Sequence, residues 1–107
     1  MTTVHVWRDE TGVSGLRVQD HAGFARRGKD IVCAAASILI TTCANALESV
    51  AGITPVVNVQ EQQAVIEVKL PKGLSPEQDH DCRIILRTAL QGFEDIAAQY
   101  PRYLQII

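Results

Sequence analysis

The segment from Ile31 to Ala51 is apolar almost all the way round a helix, and it constrains the fold of this chain more than any other stretch. Ile38, Leu39, Ile40, Cys43, Leu47 and Val50 stand among five alanines up to Ala46. A helix without a broad polar face has to be covered on more than one side. A chain of 107 residues supplies one two-layer core and not two. The cover is therefore expected to be a sheet on one side and a second helix or a second subunit on the other. Asp30 is placed to cap this helix, because its carboxylate can accept the free N–H of Val32 or Cys33. Gly52 suits the position just beyond its end.

The remaining elements follow from alternation and punctuation. Val4, Val6 and Arg8 alternate with His5, Trp7 and Asp9, which predicts a first strand, and Asp9-Glu10-Thr11-Gly12 turns it into a second over Val13–Asp20. His21–Lys29 carries two glycines and three basic residues with no period, and reads as a surface loop. Pro55–Val59 and Ala64–Leu70 flank the polar Gln60–Gln63 and predict a hairpin, with Ile66, Val68 and Leu70 on one face and Glu67 and Lys69 on the other. Pro71-Lys72-Gly73 stops the second of these strands. Ser75-Pro76-Glu77-Gln78 is a helix start, with Ser as N-cap, Pro at the first position and Gln reaching back. That helix runs to about Gln99 through Ile85, Leu86, Ala89, Phe93, Ile96 and Ala97, and Tyr103–Ile107 forms a last strand. The order ββαββαβ predicts an α+β two-layer sandwich, with a mixed or antiparallel sheet of about five strands and two helices. A single domain over residues 1–107 is expected.

Composition removes several classes of function. The net charge is −2, so no overall positive field recruits nucleic acid. Arg26, Arg27 and Lys29 lack the aromatic array that single strands stack on, and direct nucleic-acid binding is not expected. The N-terminus lacks the basic start and apolar run of a signal peptide, and uninterrupted apolar runs are short for a bilayer, so no membrane role is expected. Three cysteines without a CxxC spacing fit a reducing cytoplasm better than a disulfide framework.

The chemistry concentrates between His21 and Ser37. Cys33 falls at the third position of the first helix, near the unpaired N–H groups that favour an anion. A free thiol titrates near ~8.5, and a helix start or a neighbouring imidazolium lowers this. Asp30 works against a thiolate, so a Cys33–His21 ion pair would supply most of the activation. Asp20 points to the opposite face of its strand and is poorly placed to orient His21. The N–H groups of the helix start, that of Cys33 included, are expected to be free to stabilise an oxyanion. The bland alternative is that a helical Cys between Val and Ala is packing. Residue types alone leave both open. Asp79-His80-Asp81-Cys82 carries ligand-type side chains, but consecutive helical positions diverge and no second cluster accompanies them, so no metal or cofactor is expected. Cys43 and Cys82 are expected to be structural, His5 to face solvent, and Trp7 to lie in the core or an interface.

His21-Ala22, followed by Asp30-Ile31-Val32-Cys33-Ala34-Ala35-Ala36-Ser37, resembles the signature of the ribosomal-processing cysteine proteases, the Prp family. Leu90-Gln91-Gly92-Phe93 and Tyr100-Pro101-Arg102-Tyr103 resemble that family's C-terminal end, so the likeness covers essentially the whole chain. The resemblance implies an endopeptidase that removes an N-terminal extension from the bacterial large-subunit ribosomal protein L-twenty-seven. It implies His21 as base, Cys33 as nucleophile, Asp30 and Ser37 as supporting residues, and a homodimer. Between the two proposed catalytic residues, Ala22, Gly23, Phe24 and Gly28 form the expected substrate loop, read as a lid hinged at Gly23 and Gly28. Asp20 stands where the family has Gly, which bears on substrate fit. A different class of function on the same cleft is a non-catalytic ribosome-assembly module that binds a ribosomal protein.

Overall fold

The computed structural model describes residues 1–107. Its elements are β1 (Thr2–Asp9), β2 (Gly12–Gln19), α1 (Ile31–Ser49), β3 (Val56–Gln60), β4 (Val65–Lys69), α2 (Pro76–Gln99) and β5 (Leu104–Ile106), with one turn of 3-10 helix at Glu61–Gln63. The sheet order is β3-β4-β2-β1-β5. β1 and β2, β2 and β4, and β3 and β4 pair antiparallel, whereas β5 returns parallel to β1. The sheet is thus mixed and five-stranded, and the order ββαββαβ is the expected one.

The two-residue side-chain period puts Val4 and Val6 of β1 opposite Val18 and Leu16 of β2, which face Ile66 and Val68 of β4. Val32, Ile40 and Leu47 of α1 and Leu86, Leu90 and Phe93 of α2 close over this apolar face. Each such side chain fully buried contributes about 1.5–3 kcal/mol from the water it sheds. The helices pack closely at Gly92, where a Cβ would come within 2.8 Å of both Leu39 methyls. On the open face of the sheet, Trp7 spans the Gly15 position and brings its ring to 4.4 Å from Lys69 Nζ. His5 lies on the same open face, as expected, where it stacks against Trp7 at 6.2 Å and is half-buried.

α1 is covered on two sides as expected, by the sheet and by α2, and its outer side stays open. Its buried residues form one stripe, Val32, Ala36, Ile40, Cys43 and Leu47. Ile31 and Ile38 remain 54% and 62% exposed. The sheet takes one side and α2 takes the flank carrying Leu39, which leaves an apolar outer side uncovered within the chain. By length and composition α1 would also pass for a membrane span, with a mean hydropathy of 1.7, which short uninterrupted runs did not suggest. Here its apolar stripe packs into the core. The helix ends at Ser49, slightly short of the expected Ala51. Gly52 takes φ 71°, its N–H bonding Glu48 O at 3.1 Å.

α2 begins on a closed capping box. Ser75 Oγ accepts from the Gln78 N–H at 3.2 Å, and Gln78 Oε1 accepts from the Ser75 N–H at 3.1 Å. One turn on, Arg83 donates to Asp9 at 2.7 Å and to Asp79 at 3.0 Å, tying the β1–β2 turn to the helix. The Arg83 hydrogen bond, followed by the Thr11 N–H, lowers the Asp9 carboxyl to about 2.

Candidate active site

Asp30 organises the corner around Cys33. Its Oδ1 accepts from the N–H groups of Val32 at 3.0 Å and Cys33 at 2.9 Å, the expected helix cap. Its Oδ2 accepts from Phe24 N–H at 3.0 Å and Ala25 N–H at 3.3 Å, which the sequence did not suggest. Burial by itself raises this carboxyl. The N–H groups of Cys33, Ala25, Phe24 and Val32 together outweigh it and hold Asp30 below the usual carboxylate range. The charge that was expected to oppose a thiolate is therefore directed into four backbone donors. The same geometry removes the Val32 and Cys33 N–H groups from the expected oxyanion site, because both are already occupied by Asp30.

The donor that faces the sulfur comes instead from the loop. Ala22 N–H donates to Cys33 Sγ at 3.2 Å, and His21 Nδ1 lies 3.8 Å from the same sulfur. No other protein group hydrogen-bonds the His21 imidazole, and Asp20 does not orient it. Thiol, imidazole and a backbone N–H thus converge on one partly exposed point at the start of α1. An imidazole there can take the thiol proton, and the N–H favours the sulfur anion.

Cys33 stands between two clefts. One, of about 640 Å³, is lined by the end of the loop and the first turns of α1, including Ala25, Gly28, Lys29 and Ile31. The other, of about 440 Å³, runs between α1 and the β3–β4 hairpin, past Ile40, Val59 and Ile66. His21, Arg27, Cys33 and Ser37 line both. Ser37 lies one turn after Cys33 on the same helix face, exposed and without a hydrogen-bond partner for its hydroxyl.

The expected substrate loop is only partly what borders the clefts. Gly28 lines the first cleft, at φ 86°. Ala22 is 2% exposed, its methyl packed in the core while its N–H meets the sulfur, so it contributes backbone and no contact surface. Gly23, at φ 75°, borders neither cleft. Phe24 turns away and meets Tyr100 and Tyr103 edge-on, with centroids 5.5 and 5.2 Å apart. Asp30 and this aromatic clasp anchor the front of the loop. Arg27, read from sequence only as part of a basic run, is exposed and lines both clefts together with Cys33.

Cys43 and Cys82 contrast with Cys33. Both are buried in helices. Burial, and then the nearby Cys82, pushes the Cys43 thiol up to about 11. Burial, and then Asp79 and Asp81, raises Cys82. In the second helix, Asp79 is engaged by Arg83, and His80 pairs with Asp81 at 3.3 Å on the surface.

The family model of the cysteine protease Prp matches residues 1–105. This chain belongs to the Prp family. Its membership makes it an enzyme of the cysteine-protease class. It is 25% identical over 97 residues to the ribosomal processing cysteine protease Prp of Bacillus subtilis, covering 91% of this chain and 87% of that protein. The fold is shared with the essential ribosomal processing protease Prp from S. aureus, solved in complex with a covalently linked product peptide, at a TM-score of 0.87 and 23% identity over 99% of this chain and 97% of that one. It is shared as well with SMU.848 from Streptococcus mutans, at a TM-score of 0.86 and 25% identity over 99% of this chain and 91% of that one. Both Prp sequence elements, the His21 loop and the Cys33 helix start, meet at one corner of this fold.

Proposed function

We propose that this chain is a processing endopeptidase in which Cys33 and His21 form the catalytic dyad, and that it trims the N-terminal extension of a large-subunit ribosomal protein of the L-twenty-seven type. The observation that carries the reading is the convergence of His21 Nδ1 at 3.8 Å and Ala22 N–H at 3.2 Å on Cys33 Sγ. Unliganded catalytic hydrogen bonds are often long and tighten on substrate, which suits the longer of the two. His21 takes the thiol proton as sulfur bonds to the scissile carbonyl carbon. It then returns that proton to the leaving amine as the C–N bond breaks. Water, deprotonated by His21, hydrolyses the thioester and regenerates the thiol. Asp30 supports the site by fixing loop and helix together, and Ser37 borders it from the next turn. The substrate assignment is supported by the ribosomal-processing role of the Bacillus subtilis relative.

The same reading includes a homodimer in the cytoplasm. The uncovered outer side of α1 at Ile38 and the exposed valines of edge strand β3, Val56, Val57 and Val59, supply apolar surface for a second copy. The free cysteines suit a reducing compartment. The test is incubation with a peptide spanning the extension and start of the ribosomal protein. Cleavage is expected from the native chain and is expected to be lost in Cys33→Ala and His21→Ala. Persistent cleavage by a folded Cys33→Ala variant would contradict the mechanism. Cleavage by neither native chain nor variants would contradict the substrate assignment.

A further inference from the structure

Asp20 occupies a backbone conformation that disfavours it. Its φ is 68°, in the left-handed region where the Cβ of an L-residue crowds its own carbonyl and where glycine fits freely. Two hydrogen bonds fix the peptide planes on either side of it. Asp20 N–H donates to Ala64 O at 3.1 Å, and Asp20 O accepts from Thr2 Oγ1 at 2.9 Å. Thr2 is 1% exposed, and Asp20 O is the protein partner of its hydroxyl. Its own backbone is fixed in turn by the residue preceding β5, through Thr2 N–H to Tyr103 O at 2.9 Å. The peptide so clamped leads directly into His21 and then Ala22, the two residues that meet Cys33 Sγ.

We propose that Thr2 is a positioning residue: its buried hydroxyl, acting with the Ala64 carbonyl, holds Asp20 in a left-handed turn that glycine would adopt unaided, and so aims the Ala22 N–H and the His21 imidazole at Cys33. The proposal rests on the protease reading of that corner and adds a residue from the start of β1 to it. It accounts for a non-glycine residue standing where the Prp signature has Gly. A carbonyl that loses its buried donor relaxes, and small displacements at a reacting centre have large effects on rate.

The test uses the full chain with Thr2→Val, which keeps the shape and removes the hydroxyl, and Thr2→Ser, which keeps the hydroxyl. Both are made in the native and Asp20→Gly backgrounds, with Thr2→Ala in place of Thr2→Val should valine prevent folding. Two readouts are taken, the rate of Cys33 alkylation by iodoacetamide at neutral pH and the kinetics of peptide cleavage. Thr2→Val is expected to slow alkylation by about threefold or more and to lower kcat by about tenfold with KM little changed. Thr2→Ser is expected to remain within about twofold of native on both readouts. In the Asp20→Gly background the Thr2→Val effect is expected to shrink to about twofold or less, because glycine holds the turn alone. Native rates in Thr2→Val overturn the proposal. So does Thr2→Ser as impaired as Thr2→Val, or an equal Thr2→Val effect in both backgrounds. Alkylation needs no substrate, so absence of cleavage by the native chain counts against the protease reading, while the alkylation series still decides the clamp.

Discussion

The two helix starts of this molecule solve one physical problem in different ways. Each helix must find partners for the unpaired N–H groups of its first turn. At α2 the solution is local: Ser75 and Gln78 satisfy each other's backbone, and the nearest cysteine, Cys82, is buried further along. At α1 the capping carboxylate has two tasks. One oxygen caps Val32 and Cys33, and the other reaches across the loop to Phe24 and Ala25. The first arrangement ends a helix. The second also fixes the loop that carries His21 and Ala22 relative to Cys33, and so turns a helix start into a site.

The comparison breaks most sharply at Asp30. Asp30→Ala leaves four backbone donors without their acceptor and is expected to destabilise the fold by about 2–4 kcal/mol, measured by denaturant unfolding. Asp30→Asn separates the two tasks. Its amide oxygen still caps the helix while its NH2 group confronts the Phe24 and Ala25 N–H groups. It is expected to unfold closer to native than Asp30→Ala yet to lose about tenfold or more in cleavage rate. A variant that kept full activity would show that the loop half of the cap does not matter to the site.

Acid extends the comparison. Because the Asp30 carboxyl is held below its ordinary range, its contribution to stability is fully present above the unfolded value of about 4. It is lost as pH falls through the lower folded value. Native chain is therefore expected to lose stability below about pH 4 more steeply than Asp30→Asn. Asp9, lowered to about 2 by Arg83, acts in the same direction. It stays intact in both proteins and so leaves the difference between them to Asp30. Parallel pH–stability curves would contradict the assignment.

Ser75→Ala is the smallest effect. It is expected to lower stability by about 1 kcal/mol and to leave cleavage within about twofold of native, since the box at α2 supports nothing beyond its own helix.

What the sequence revealed follows the same division. The α2 start was legible because Ser75, Pro76 and Gln78 act within one turn. The strands were legible because Val4/Val6 and Ile66/Val68 alternate against polar neighbours. Asp30 was legible as a cap and not as a loop anchor, because its second pair of partners is set by how the loop folds back. Ala22 could not be read as a donor to sulfur: its side chain is a methyl, and the functional group is its N–H. The clasp of Phe24 on Tyr100 and Tyr103 joins residues from opposite ends of the chain, with no local pattern to announce it. α1 was legible in part: its composition implied cover on more than one side, which the sheet and α2 supply, while the outer side at Ile38 is left open within the chain.

The most direct test of the central claim is intact-mass analysis of the native chain, quenched in acid during turnover of the extended ribosomal-protein peptide. An adduct equal in mass to the acyl fragment is expected, mapped by digestion to Cys33 and absent from Cys43 and Cys82. Peptide cleavage accompanied by an adduct on another residue, or cleavage that continues after Cys33 has been selectively alkylated, would contradict it.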